Sequence, residues 1–197
     1  MDDREESWWL SMRALNWAVV FCTLLILGGL APATAQPTIV VAVADFVDDS
    51  TDGRLIQASQ LSTYLQQRLQ VLASGRMQVV AVDEIRAVMR AQGVTPVDLL
   101  LRSRAARVAA AVGASQIVTG RWYTLSLTHM PDEPVIRGSE QNATAILDVW
   151  VIDGVSGSVV LQASYTGRAS GLPNRLVLLE AAREALNQAA NAIEQIK

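Results

Sequence analysis

The sequence predicts an α/β fold in which a mixed β-sheet is flanked by helices, in the order β-α-β-α-α-β-β-β-α. Two observations lead to this prediction. Short apolar, β-branched runs alternate with stretches in which leucine and alanine recur at helical spacing. Two of the later β-rich runs flank a short Gly-rich turn, which is typical of an antiparallel hairpin. Alternating elements that end in a hairpin indicate a mixed sheet covered by helices.

The first part of the body predicts two strands and the helix between them. Residues 38–46 (TIVVAVADF) form an apolar, β-branched run that is typical of a buried strand. The polar loop 48–53 then offers Asp and Ser side chains as caps for a helix, whose leucines recur from Leu61 to Leu72. Residues 77–82 (MQVVAV) predict the second strand.

Two further helices are predicted after this strand. Asp83 is the expected cap of a helix that continues to Gln92 and is stopped by Gly93. Pro96 opens another helical stretch that extends to Val112. Proline suits the first turn of a helix because its missing N–H is not needed there, and glycine suits the position just past the end.

The last part of the body predicts three strands and a closing helix. Residues 115–127 begin with an apolar pair and indicate a strand. Residues 143–152 (ATAILDVWVI) and 158–168 (SVVLQASYTGR) flank the turn 153–157, so they predict the hairpin. The alanine-rich segment from Leu176 to Ile193 has apolar residues on one side and predicts an amphipathic helix.

A cleavable signal peptide is predicted over residues 1–35. Residues 14–31 carry no charge, and they are followed by small residues. Ala33 and Ala35 occupy the −3 and −1 positions of a cut before Gln36, as a signal peptidase requires. The remaining residues, 36–197, show no internal repeat or linker and are expected to form one domain.

Three features of this leader leave alternatives open. The acidic residues ahead of Met12 have the wrong sign for the start of a signal peptide, so Met12 is the expected start and Met1 the alternative. Uncleaved, residues 14–31 reach the lower length limit of a membrane anchor. Cys22 lies in the middle of the apolar run, so it does not form a lipoprotein signal. No transmembrane segment is expected once the leader is removed.

The composition of the body excludes several classes of function. The chain has a formal net charge of −3, so it lacks the basic excess with which proteins bind nucleic acid. Its one cysteine, Cys22, belongs to the leader, and its one histidine is His129. A Cys/His zinc site and a disulfide framework are therefore excluded from the body. We expect no metal, no cofactor and no catalytic centre.

Three stretches of the body resemble one family of envelope proteins. The strand that ends in Asp45-Phe46, the segment 111–120 (AVGASQIVTG) and the hairpin segment 148–153 (DVWVID) resemble motifs of the curli-secretion CsgG family. Related envelope domains, such as the TolB N-terminal domain and LpoB-type activators, share this plan. The resemblance covers residues 38–196. It implies a non-enzymatic periplasmic domain that acts in envelope assembly or secretion by binding a partner.

The chain departs from CsgG where CsgG contributes strands to a membrane barrel. A membrane hairpin needs about 20 residues or more. The stretch 125–141 has 17 residues, and it contains two prolines and four charged residues. The turn 154–157 is shorter still. The resemblance therefore implies the periplasmic module alone, without pore formation.

Four residues are candidates for an interface with an envelope protein or with a second copy of the chain. Trp122 and Tyr123 end a predicted strand, where aromatic side chains can anchor a partner. Arg86 and Arg90 lie one helical turn apart and could form a basic face. The competing interpretations are a covered core edge for the aromatic pair and an ordinary solvated helix face for the arginines.

Two alternative functions stay open at this point. The first is a ligand-binding or hydrolytic domain that uses the Asp45–Asp52 loop together with His129. The spacing of the loop carboxylates does not fit a calcium site, so a solvated loop is favoured. The second is a membrane-anchored accessory subunit that retains residues 14–31. The expected location is periplasmic or secreted, with outer-membrane association only through a partner.

Overall fold

The computed structural model of the chain describes five stretches of residues. They are residues 38–50, 56–73, 75–129, 141–171 and 174–196. The predicted signal peptide, its cut site at Ala33, Ala35 and Gln36, and the expected start at Met12 lie outside the described residues. The side chain of His129 lies outside them as well.

Six strands and four α-helices form the described part of the chain. The strands are β1 (Ile39–Val43), β2 (Val47–Asp48), β3 (Met77–Val79), β4 (Gln116–His129), β5 (Gln141–Asp153) and β6 (Val159–Gly171). The helices are α1 (Ala58–Leu72), α2 (Val82–Gln92), α3 (Arg102–Ala111) and α4 (Asn174–Glu194), and a 3-10 turn at Val97–Leu100 precedes α3. The predicted α/β class, a mixed sheet flanked by helices, is confirmed.

The sheet joins a parallel half to an antiparallel half. Its strand order is β3-β1-β4-β5-β6, and β2 pairs with β4 beyond the end of β1. Strand β1 runs parallel to both β3 and β4, whereas β4, β5 and β6 are antiparallel neighbours. Strand β6 is therefore an edge strand, and the long antiparallel half extends well beyond the short parallel one.

The predicted hairpin is present between β5 and β6. Ile152 pairs with Val159 across the turn. The carboxylate of Asp153 accepts hydrogen bonds from the N–H groups of Ser156, at 2.6 Å, and Val155, at 3.1 Å. The Ser156 hydroxyl donates a third, at 2.8 Å. These bonds favour the charged carboxylate and lower the pKa of Asp153, so this side chain holds the turn closed.

Two separate hydrophobic clusters pack against the two faces of the sheet. Alternate residues of β1 divide between them, so that Val41 and Val43 face α1 and α4, whereas Ala42 and Ala44 face α2 and α3. Strand β1 is thus buried on both faces, which explains its continuous apolar sequence. The regularly spaced leucines of α1 pack into the cluster that contains Val41 and Val43.

Helix α4 lies close to the sheet because small residues face each other. Its buried side includes Ala181, Ala185 and Ala189, each fully excluded from solvent. Opposite them, Gly167 of β6 lies so near that an added Cβ atom would stand 1.9 Å from the Ala181 carbonyl oxygen. The alanine-rich composition of α4 is therefore a packing requirement and not only a helix preference.

The helices differ from the sequence prediction more in where they begin than in where they end. Gln57 and Ala81 precede α1 and α2, and neither helix has a side-chain cap, so the predicted Asp or Ser cap and the Asp83 cap are wrong. Asp83 lies in the first turn of α2 instead. Gly93 does stop α2, with a φ of 64° and an N–H that donates to the Arg90 carbonyl.

Two other predicted boundaries also change. The helix expected from Pro96 to Val112 is interrupted at Leu101, whose extended backbone (φ −86°, ψ 113°) separates the 3-10 turn from α3. Strand β4 continues to His129, two residues beyond its predicted end at 127, and β5 begins at Gln141, two residues before its predicted start at 143. Residues 130–140 lie outside the described part. No helix among the described residues is long and apolar enough to cross a membrane.

Candidate functional site

An ion pair connects the end of β1 with the first turns of two helices. Asp45 follows β1, and Arg86 of α2 donates two parallel hydrogen bonds to its carboxylate, both at 2.8 Å. One guanidinium nitrogen also donates to the carbonyl oxygen of Ser59 in α1, at 3.4 Å. The Arg86 side chain is 31% exposed, and the Asp45 side chain is 20% exposed. This bidentate geometry is the strong form of an Arg–carboxylate pair.

In this pair, the carboxylate of Asp45 holds the positive charge of Arg86 in place and balances it. The pKa of Arg86 is raised above its ordinary value, chiefly because the guanidinium donates hydrogen bonds to Asp45. Asp83, 3.7 Å from Arg86, is fully solvated and adds little. Next to the pair, the Phe46 N–H donates to the Ser62 hydroxyl, at 3.1 Å, which ties the same segment to α1. Arg86 thus supports the fold at this corner.

A shallow cleft of about 360 Å³ lies beside the ion pair. Its floor is the polar side of α1, and arginines from α2 and α4 lie at its margin. The lining residues are Ser59, Gln60, Thr63, Tyr64, Gln67, Arg86 and Arg183. The Arg183 guanidinium lies 5.3 Å from the centre of the Tyr64 ring, and the Tyr64 hydroxyl donates to the Asn187 side-chain oxygen, at 3.2 Å.

The chemistry available in this cleft is limited to polar contacts. Its side chains are hydroxyls, amides and guanidinium groups, and the Arg86 charge is already matched by Asp45. Among the described residues, no group of three or more His, Cys, Asp or Glu side chains is placed to hold a metal ion. The cleft therefore offers hydrogen bonds to a polar surface but no general acid or base pair.

Arg86→Gln is expected to lower the free energy of unfolding by about 1–3 kcal/mol. The substitution leaves the partly buried Asp45 carboxylate without its bidentate partner. Chemical denaturation of the two proteins measures the difference. Arg90→Gln is the matched control, because Arg90 is exposed one turn further along α2 and its replacement is expected to change stability by less than about 0.5 kcal/mol. Equal effects at the two positions would contradict the structural role of Arg86.

The two aromatic candidates lie in opposite environments. Trp122 is 0% exposed and packs edge-on against Phe46, with ring centres 6.4 Å apart. It belongs to the core and has no surface to offer a partner, so its candidacy for the interface is corrected in favour of the covered core edge. Tyr123 is 44% exposed, and the Arg121 guanidinium lies 3.9 Å from its ring centre. An irregularity in the β4–β5 pairing at this point gives β4 an extra residue.

The acidic loop is divided among separate structural contacts. Asp45 pairs with Arg86, Asp48 accepts the Ser50 N–H at 3.0 Å, and Asp49 lies 3.5 Å from an Arg121 nitrogen. Asp52 lies outside the described residues, as does the side chain of His129. The described carboxylates of the loop therefore do not converge on one point.

One face of the antiparallel half has no described helix on it except at the end next to the hairpin, where Trp150 and Val159 pack against the cluster of α2 and α3. We call it the open face; it is the side of β4, β5 and β6 opposite α4. Cross-strand pairs define it, since alternate residues of each strand point to one side. It carries small hydroxyl residues together with Ile146, Asp148 and Trp150, and the hydroxyl residues are Thr124, Ser126, Thr144, Ser164 and Thr166. The side chain of Ser164 donates to Asp148 across the strands.

Sequence reasoning did not identify the open face, although one signal for it exists. In β5, buried residues alternate strictly with half-buried ones from Gln141 to Trp150. The same alternation is visible in the letters of residues 143–150 (ATAILDVW), where every second position is apolar and small or branched. That pattern indicates a strand with one covered and one uncovered face. It identifies the less covered side chains as Thr144, Ile146, Asp148 and Trp150.

Known proteins share the fold but not a detectable sequence family. No family model and no curated protein matches the chain. The crystal structure of the lipoprotein GNA1162 from Neisseria meningitidis is 14% identical, covers 78% of this chain and 99% of its own, and has a TM-score of 0.52. The LpoB C-terminal domain from Salmonella enterica is 15% identical over 72% of this chain and 91% of its own, with a TM-score of 0.46. The PelC dodecamer from Paraburkholderia phytofirmans is 14% identical, covers 84% of this chain and 94% of its own, and has a TM-score of 0.47.

The predicted membership of the CsgG and TolB N-terminal family is wrong. The similar solved structures are GNA1162, LpoB and PelC rather than CsgG or TolB. The motifs that suggested CsgG lie where one element passes into the next: residues 111–120 join α3 to β4, and residues 148–153 lead into the hairpin. Such motifs follow the topology and do not discriminate between families that share it. At 14% identity, the likeness to GNA1162 shows the fold alone.

Proposed function

We propose that the chain is an exported, non-enzymatic domain that acts in the cell envelope by binding another protein. The observation that carries the proposal is the open face of β4–β6. It spans three long strands. Tyr123, 44% exposed, lies against Arg121 there, and the half-buried Trp150 lies at its border with the cluster of α2 and α3. Aromatic residues are enriched at protein-binding surfaces and often anchor the partner there.

Three further points support this proposal. The described carboxylates near the Asp45–Asp52 loop are engaged in separate contacts, which disfavours the hydrolytic alternative. The fold shared with a lipoprotein of Neisseria meningitidis supports an envelope location. The predicted signal peptide over residues 1–35 supports export, and a cut before Gln36 distinguishes a periplasmic or secreted domain from the membrane-anchored alternative.

The open face has little net charge to attract a partner over a distance. Arg121 lies near Asp49 and stands opposite Asp148 in the pairing of β4 with β5, so these charges are largely matched within the chain. Binding is therefore expected to depend on close contact with Trp150 and Tyr123 rather than on ionic strength. This favours a protein partner with a complementary apolar and polar surface.

A photo-reactive amino acid at Thr144, in the middle of the open face, tests the proposal in cells that export the full chain. A specific crosslinked protein is expected from position 144, and its yield is expected to fall about tenfold when Tyr123 and Trp150 are both replaced by alanine. The matched control is the same probe at Arg107, which is exposed on α3.

Equal crosslinking from positions 144 and 107 would contradict the proposal, and so would a yield that is unaffected by the double substitution. Circular dichroism of the double variant checks that the fold is retained. Intact mass of the exported chain is measured in the same experiment, and a start at Gln36 is expected.

A further inference from the structure

Among the described residues, side chains protect only one half of the sheet edge at β6. Near its C-terminal end, the Arg168 N–H donates to the Glu184 carboxylate of α4, at 2.6 Å, and the Gln188 side chain donates to the Thr166 carbonyl oxygen, at 3.1 Å. These two side chains reach over the edge and occupy backbone groups that would otherwise be open to another strand.

The same two contacts identify the backbone groups that remain available. Thr166 and Arg168 point their backbone groups away from β5, and in an antiparallel strand this orientation repeats at every second residue. The pairing of β5 with β6 is regular from Leu161 to Gly171, so Gln162 and Ser164 also point outward. An irregularity at Val160 ends the regular edge on the other side. Two residues with free N–H and C=O groups therefore lie between a bulge and a capped segment.

We infer that two copies of this chain pair antiparallel through the β6 edge, about a two-fold axis at Ala163. With the axis at Ala163, the outward groups of Gln162 meet those of Ser164 of the partner subunit, and those of Ser164 meet Gln162 of the partner subunit. No other axis gives this pairing, in which the outward groups of both residues form hydrogen bonds. In this register Val160 of the partner subunit comes opposite Thr166, so the regular pairing extends from residue 161 to residue 165 and ends where the capped segment begins. The result is a continuous sheet across the two copies.

The side chains of this register are self-complementary. On the side of α4, Leu161 comes opposite Tyr165 of the partner subunit, and an aliphatic residue beside an aromatic one is a favourable cross-strand pair. Ala163 faces its own copy at the axis as a non-hydrogen-bonded pair, in which the two side chains lie close together. On the open face, the polar Gln162 and Ser164 come opposite each other.

Charge and exposure agree with a second copy as the occupant. Residues 159–167 contain no charged residue and no proline, so the segment lacks the features by which edge strands usually avoid self-pairing. Identical uncharged strands do not repel each other. Val160 is 41% exposed beside this segment, and Leu161 and Tyr165 are half-buried, so pairing covers apolar surface as well as backbone. This surface differs from the open face, and the inference does not rest on the proposed partner binding.

A disulfide across the axis tests the register directly. In the full chain with Cys22→Ala, Ala163→Cys is expected to form a covalent dimer under mild oxidation, because the two Cα atoms would be about 4.5 Å apart, within the range of a disulfide. Ser170→Cys in the same background is the matched control. It lies on the same strand beyond the capped residues, far from its own copy in this register. Crosslinking at Ser170→Cys equal to or above that at Ala163→Cys would overturn the inference, as would its absence at both.

A second pair of variants keeps the inference testable if a cysteine at position 163 disturbs folding. Gln162→Lys with Ser164→Lys places two like-charged pairs across the axis and is expected to weaken dimerisation about tenfold or more, measured by sedimentation at low salt. Thr128→Lys with Ser170→Lys adds the same charge away from the axis and is expected to leave dimerisation unchanged. A monomeric unaltered chain at all concentrations, or equal dimerisation of both lysine variants, would overturn the inference. Crosslinking from Thr144 to another protein is independent of these outcomes.

Discussion

Gly167→Ala is expected to lower the free energy of unfolding by about 3 kcal/mol or more, among the largest effects of a single methyl group in this chain. The added Cβ atom would stand 1.9 Å from the Ala181 carbonyl oxygen and 2.7 Å from the Ala185 backbone nitrogen. Both atoms belong to the backbone of α4, so no side-chain rotation relieves the overlap. The helix must move away from β6, and its alanine contacts with the sheet are lost. Denaturant unfolding monitored by circular dichroism measures the change.

Gly93→Ala is the matched control for this substitution. Gly93 has no atom within 4 Å of the added Cβ, but its φ of 64° is unfavourable for alanine. Its expected cost is about 1 kcal/mol, from backbone conformation alone. If the two alanine variants were equally stable, the close approach of α4 to β6 would be refuted.

Trp122→Ala is expected to destabilise the fold by about 3–5 kcal/mol. The side chain is fully buried against Phe46, so its removal leaves a large cavity in the cluster between the sheet and helices α1 and α4. Trp122→Phe is expected to cost less, because it keeps the aromatic contact. In addition, the indole N–H has no hydrogen-bond partner among the described residues. Thermal or chemical unfolding of the three proteins measures these differences.

Tyr123→Ala is the control for a neighbouring aromatic residue at the surface. Tyr123 is 44% exposed, and its loss is expected to cost less than about 1 kcal/mol. A Trp122→Ala protein of unchanged stability that failed only in partner binding would contradict the core assignment. Such a result would instead support Trp122 as an interface residue.

The sequence predicted the elements of the fold well because their periodicities are strong. The leucines of α1 recur along one side of the helix, and the alternation in β5 is regular over ten residues. The hairpin and the stop at Gly93 follow from local backbone chemistry. These features depend on neighbours in sequence, so no knowledge of the tertiary structure is needed to recognise them.

The candidate site was less predictable because it depends on distances through space. Trp122 and Tyr123 are adjacent, yet one is buried and the other exposed, and the sequence alone does not say which face of β4 is covered. Asp45 and Arg86 are 41 residues apart, and their pairing depends on how α2 packs against β1. The missing caps of α1 and α2 likewise follow from where the chain leaves the sheet.

The described helices cover both faces of the sheet around β1 but one face at β6, and this difference affects local unfolding. Around β1, helices lie on both faces, so displacing β1 itself exposes both hydrophobic clusters. Among the described helices, α4 alone covers β6, so displacing β6 exposes the cluster beneath α4. The cost of a local fluctuation is therefore graded across the molecule, highest in the parallel half and lowest at the antiparallel edge. Rearrangement of β6 on association can occur without disturbing the ion pair between Asp45 and Arg86.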